Sequence, residues 1–281
     1  MMEPQENKSV DDSRHGSFNV PAQRPQTSND QTSSSSRTWQ YLNAPVRASG
    51  FAEFELLLLT FCTGLQDAVS FPDFHCFTSN QTGNTVFLML AIAMPEMNGE
   101  MFVTLNIGIA LGMFLAAAWL TGQLGHIVGP RCRLWLILCN LVQTCLVFAT
   151  VAIQYTQGIQ LEGIRTAISI GLLACAAGSQ VVQSRSLRMT EISTAMATAA
   201  WLDLVIDPNL FALRNRPRTR RVTFLASLVL GSLAGAYMYK TVGSAAALAA
   251  SGAGKLLVTI MFFFNSAEQE KPKLENAEDS A

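Results

Sequence analysis

Asp67 stands inside a run of apolar residues that begins at Phe51, within Gly64-Leu65-Gln66-Asp67-Ala68. A carboxylate at membrane depth is costly and marks a functional site by default. A little further on, Asn80, Thr82, Gly83 and Asn84 open a short apolar stretch. Asn and Thr are good helix caps, and the free N–H groups at a helix start attract anions or carbonyl oxygens. Gly83 allows close backbone approach. Gln66, Asp67, Asn80, Thr82, Gly83 and Asn84 could thus form a small polar cup for a ligand or ion. The plainer alternative is that they cap and pack. A second set, Gln180, Gln183, Thr190 and Ser193, occupies the comparable place later in the chain and could form a second cup. Lys255 falls in the middle of the last apolar block and calls for a carboxylate or water. Asp67 and Asp203 are the candidate partners. Alternatively, the helix carrying Gly252 and Gly254 is displaced, which would put Lys255 nearer an interface.

Signatures of catalysis are missing. There is no H-E-x-x-H, no G-x-S-x-G and no Walker loop, and the histidines, His15, His75 and His126, are scattered. The six cysteines, Cys62, Cys76, Cys132, Cys139, Cys145 and Cys175, form no C-x-x-C pair and read as small apolar packing residues. The expectation is a non-enzyme with no cofactor and no metal. Asn80-Gln81-Thr82 and Asn7-Lys8-Ser9 match glycosylation sequons. The first abuts the membrane and the second is expected in the cytosol, so neither is expected to be modified.

The elements that must position these residues follow from composition. Of 281 residues, 49% are hydrophobic and 14% charged, against about 25% charged in soluble domains. Six segments approach the roughly 20 apolar residues a spanning helix needs: 51–71, 101–122, 134–154, 164–184, 222–240 and 244–264. Two shorter apolar pieces, 82–94 and 194–206, read as half-helices that enter and leave on one side. With six crossings, Arg47, Arg131, Arg133, Arg185, Arg188 and the arginines of 214–221 all fall on one face, together with Lys271 and Lys273. The positive-inside rule makes that face cytosolic, with both termini on it. Residues 1–50, rich in Ser, Gln, Asn and Pro, are expected to be a disordered polar tail. Residues 265–281 form a charged tail. The first crossing would serve as the targeting signal, since no apolar stretch lies near Met1.

The membrane domain, 51–264, reads as two copies, 51–154 and 164–264. Each has a long helix with Gly-x-Gln, then a polar stretch, a half-helix, and two more long helices. The first of those two carries a G-x-x-x-G pair, Gly108 with Gly112 in one copy and Gly231 with Gly235 in the other. Such pairs let helices approach closely in lipid. Each copy has three crossings, an odd number, so the second must be inverted. Inverted repeats with broken elements recur in secondary transporters.

Gly64-Leu65-Gln66-Asp67-Ala68, followed by Phe77 and Asn80-Gln81-Thr82-Gly83-Asn84-Thr85, resembles the YoaK-like family of uncharacterised membrane proteins. The resemblance covers about residues 50–264. In the second half Gly178, Gln180, Arg188 and Thr190 fit that family's pattern, while Val181 and Ser193-Thr194 depart from it. The resemblance implies a six-helix membrane protein and carries no activity with it. The expected fold is therefore all-α, a polytopic membrane helix bundle of about six crossings plus two half-helices, with an internal inverted 3+3 repeat. The expected function is a secondary transporter or channel-like carrier for a small solute. The alternative is a non-transporting membrane scaffold or sensor acting through its tail and arginine loop. The expected partners are the lipid bilayer and a small solute, not nucleic acid, and self-association into a homo-oligomer is left open.

Overall fold

A bilayer offers no water to backbone N–H and C=O groups, so apolar blocks of this length must close their hydrogen bonds internally as helices. The computed structural model describes residues 34–212 and 214–268, and among them no strand occurs. The helices are α1 (Ser34–Asn43), α2 (Gly50–Phe74), α3 (Gln81–Ala93), α4 (Thr104–Val128), α5 (Arg133–Gln157), α6 (Ile164–Ser186), α7 (Ala197–Val205), α8 (Arg216–Val242) and α9 (Ser244–Met261). Six of them, α2, α4, α5, α6, α8 and α9 with its following turn, are long and apolar enough to cross a membrane. The chain is an integral multi-pass membrane protein, a polytopic all-α bundle.

Local chemistry explains where the helices begin and end. The Ser49 hydroxyl accepts from the Ala52 N–H and starts α2, which ends where His75 turns to a φ of 52°. Asn80 caps α3, and Asn215 caps α8 ahead of Pro217. Gly243, at a φ of 93°, makes the tight passage from α8 to α9.

The two short helices have 13 and 9 residues, about 20 Å and about 14 Å at 1.5 Å per residue, short of a hydrocarbon core of about 30 Å. Neither carries the chain across. At one end of the bundle the Asn106 amide on α4 donates to Phe74 O at the end of α2, at 2.9 Å. The chain therefore leaves α2 and enters α4 at the same end, with α3 between. At the other end Arg220 of α8 reaches Glu53 at the start of α2 and Glu191 just after α6, so α7 also begins and finishes at one end.

The packing is matched in pairs. Helix α2 runs along α8 and α6 along α4; α9 packs on α2 and α5 on α6; α5 and α9 pack on each other. Burial matches between the corresponding helices of the two halves, with 61% of the spanning stretch buried in both α2 and α6 and 22% in both α4 and α8. Helices α4 and α8 turn apolar faces outward through Leu105, Leu115 and Trp119, and through Val229, Leu230 and Leu233.

Close approach is made by glycine, as lipid-embedded helices require. A Cβ on Gly64 would lie 2.6 Å from Leu228 O, and one on Gly231 would strike the Phe61 backbone. Gly178 presses in the same way on the Phe114 backbone of α4. The first G-x-x-x-G pair behaves otherwise than its spacing suggests, because Gly108 and Gly112 have nothing near them. Phe114 lies two residues beyond Gly112, about 200° around the helix, so the face pressed on α6 is the opposite one.

The expectation of a disordered tail through residue 50 gives way over residues 39–50, which pack on the bundle. Ser34–Asn43 forms α1. The Arg133 guanidinium sits 3.7 Å over the Tyr41 ring. The Val46 N–H donates to Arg131 O at 2.9 Å and that of Arg47 to Ser266 O at 3.0 Å. The remainder of the expected tail, 1–33, and the charged end, 269–281, lie outside the described residues, as do His15, the Asn7 sequon, Lys271 and Lys273.

Candidate functional site

The loop between α2 and α3 dips back into the bundle, and backbone at that depth must be bonded by protein. Asp67 does this for Ser79, accepting its N–H at 3.2 Å and its hydroxyl at 2.5 Å. Asn84 clasps Phe77, accepting its N–H at 3.0 Å and donating to its carbonyl at 2.7 Å, and it also donates to Gln81 Oε1 at 2.8 Å. Asn80 Oδ1 accepts the Gly83 N–H at 3.3 Å. A Cβ on Gly83 would lie 3.3 Å from the Phe77 ring. The polar signature therefore has a structural duty before any other: it holds an irregular loop inside the bundle and aims the start of α3.

That start opens on a cavity of about 580 Å³. Asp67, Asn80, Thr82 and Gly83 line it from the first half of the chain. Thr198 and Ala199, in the first turn of α7, line it from the second half. No side chain caps α7. Phe114 of α4, Val181 and Arg185 of α6, and Leu228 and Ser232 of α8 complete the wall. One carboxylate and one guanidinium thus share a mostly apolar chamber with two helix starts, an arrangement suited to a small polar or zwitterionic molecule.

The two expected cups are resolved differently from their sequence reading. Gln66 and Asn84 do not line the cavity. Gln66 points away from it and donates to Ser251 of α9 at 2.8 Å, and Asn84 is consumed by the loop. Thr190 and Ser193 line a second cavity of about 400 Å³, with Glu191, Asp203 and Arg221. The two cavities share Arg185, Met196 and Ala199, and an Arg185 N–H lies 3.0 Å from Met196 Sδ at the junction.

Gln180 and Gln183 belong to neither chamber and are buried in the bundle core. Gln183 donates to Leu136 O at 2.7 Å, and Gln180 donates to Thr63 Oγ1 at 2.8 Å and to Leu59 O at 3.3 Å. Lys255 is fully buried inside the bundle, and its hydrogen-bond partner is Gln180 Oε1, not Asp67 or Asp203. Asp203 instead faces Arg221 at 3.6 Å. The helix register explains the correction. Asp67 follows Gln66, which faces α9, and a step of about 100° turns its carboxylate toward the loop.

Several residues of this region carry no signal of a site in the sequence. Arg185 was seen only as a topology marker, and Thr198 as part of a half-helix. Asn140 and Gln143, polar residues inside an apolar run, were the signal for a buried amide cluster. Asn140 donates to Lys255 O at 2.7 Å and to Thr259 Oγ1 at 2.8 Å, and Gln143 to Gln183 Oε1 at 3.1 Å. The cysteines of the described residues are free, and only Cys145 and Cys175 among them are not buried.

Among known proteins, no curated protein and no solved structure matches the chain. A family model does, over residues 56–261, and its description is "Protein of unknown function (DUF1275)". That span takes in α2 from its second turn through the last residue of α9 and so contains the lining of both cavities. The chain belongs to the DUF1275 family.

Proposed function

We propose that the protein is a secondary transporter or channel-like carrier for a small solute, built on an inverted repeat of three crossings and a half-helix. The observation that carries this reading is the single cavity onto which the starts of α3 and α7 both open. The matched packing of α2 with α8 and of α6 with α4, and the equal burial of the corresponding helices, α2 with α6 and α4 with α8, support the repeat. Inverted copies whose broken elements meet at a central site are a recurrent transporter plan. The arginine-bearing end of the bundle is read as cytosolic by the positive-inside rule, with both termini on that side. The narrower likeness to YoaK-like proteins belongs to the same proposal, on the Gly64–Ala68 and Asn80–Thr85 residues. So do a non-enzymatic role and the partners it implies, lipid and a small solute.

The scaffold reading loses support from the arginine loop. Arg216 and Arg220 are tied to Glu53, and Arg221 to Asp203 and Asp207, which leaves these side chains engaged within the protein.

The test is swelling of vesicles containing only this protein, in iso-osmotic sugars, polyols and neutral amino acids. At least one solute class should enter faster than into protein-free vesicles. Thr198→Trp, which fills the chamber from an exposed position, should abolish that entry. If no solute enters faster, or if the tryptophan leaves entry unchanged, the carrier reading fails.

A further inference from the structure

Lys255 lies near the middle of α9 and is 0% exposed. Its ammonium, with three N–H donors, has one acceptor, Gln180 Oε1. None of the ion pairs among the described residues includes it. Of the titratable groups on the elements packed around it, the Cys62 thiol is near enough to interact with its charge, and the others are engaged or distant. On α2, Glu55 accepts twice from Asn265 at 2.7 and 2.8 Å, near one end of the bundle. Asp73 accepts from Ser244 and Gln154, near the other. Cys62 lies beside Gly254. On α5, Arg133 donates to Tyr41 O and Asn265 O, and Cys139 packs with Trp135. On α6, Arg185 lines the cavities and Cys175 lies by Met113.

Around Lys255 stand amides whose orientation is set by their donors. Asn140 Nδ2 is committed to Lys255 O and Thr259, and Gln143 Nε2 to Gln183 and Ser179. That leaves Asn140 Oδ1 and Gln143 Oε1 without a donor, on side chains that are fully buried. Buried acceptors left without a donor are rare in native proteins. The layer thus combines spare N–H donors with spare oxygens, and water entering it would find both.

The layer is wired to the cavity wall. Gln180 holds Lys255 and precedes Val181, which lines the chamber. Gln66 holds Ser251, one turn from Lys255, and precedes Asp67, which lines it from the other copy. A shift of the wall on either side therefore reaches α9.

We propose that Lys255 is the proton-exchange site of this carrier, a lysine that releases its proton when the Gln180 amide moves with the cavity wall. In that step one Nζ–H bond breaks, the proton passes to water, and the electron pair stays on the amine; the reverse step takes a proton from water. Lysine suits this role where arginine cannot serve, since a guanidinium keeps its proton in proteins. The coupling rests on the carrier reading above, whereas the proton route does not.

The experiment uses the full chain in vesicles that enclose a pH-sensitive dye, with a potassium diffusion potential, negative inside, and no solute. Wild-type vesicles should acidify faster than protein-free ones. Lys255→Met, similar in length and unable to titrate, should bring the rate down to the protein-free level. Lys255→Arg, which can still donate to Gln180, should do the same, and Gln180→Leu should slow the flux. Each variant is first shown to be monodisperse, with a cooperative melt. Wild-type flux no faster than that of protein-free vesicles, or unchanged flux in well-folded Lys255→Met, overturns the proposal. Lys255-dependent flux without any solute entry leaves the proton site standing and removes the carrier reading. Solute entry without Lys255-dependent flux does the opposite.

Discussion

At the residue scale, the side chains that draw attention in the sequence turn out to serve the backbone first. Asp67 is the example. Its two oxygens hold Ser79 by N–H and hydroxyl, and through Ser79 they hold a loop that lipid could not satisfy. Asp67→Ala should therefore lower stability in detergent by about 1–3 kcal/mol, the usual penalty for leaving buried polar groups unpaired. Asp67→Asn, which keeps an acceptor for the Ser79 N–H, should lose less. Thr82→Ala should melt like the wild type, since Thr82 is exposed on the cavity. Equal losses in Asp67→Ala and Thr82→Ala would contradict this division of labour. It also warns that loss of transport in an Asp67 variant, taken alone, reports on the loop as much as on a ligand.

At the element scale, the decisive contacts are those of α2 with α8 and of α6 with α4. Gly178 and Gly231 allow them by admitting the facing backbone. Gly178→Leu would drive a side chain into the Phe114 backbone and should destabilise by about 1–3 kcal/mol or more, as overpacking does. Gly112→Leu, on the open face of the same helix pair, should stay within about 0.5 kcal/mol of wild type. Thermal unfolding in one detergent compares the two directly. A larger loss at Gly112 would show that the register of α4 on α6 is wrong. The short helices depend on the same frame, because α3 rests on α4 and α7 on α8.

At the scale of the whole molecule, two half-helices that return to their own side set which loops share a face. With Cys145 and Cys175 replaced by alanine, single cysteines at Glu100, Glu162 and Thr219 should react with an impermeant maleimide in a fixed pattern. Glu100→Cys and Glu162→Cys should label from one side and Thr219→Cys from the other. Labelling of Thr219→Cys from the same side as Glu162→Cys would mean that the short helix between them, α7, crosses, and the matched arrangement of the two halves would be lost.

Much of this was legible in the chain itself. The six long apolar helices and the two short pieces follow from block length, since a bilayer of fixed thickness converts length directly into topology. The depth of Lys255, the partner it takes and the joining of two expected cups into neighbouring chambers did not follow. They depend on helix rotation and register, where one residue turns a side chain by about 100°, and on which glycines meet a facing backbone. Spacing alone gave Gly108 and Gly112 the same standing as Gly231 and Gly235, yet only the second pair lies at a helix contact. Contacts between segments far apart in sequence choose among such faces, and no local pattern records them.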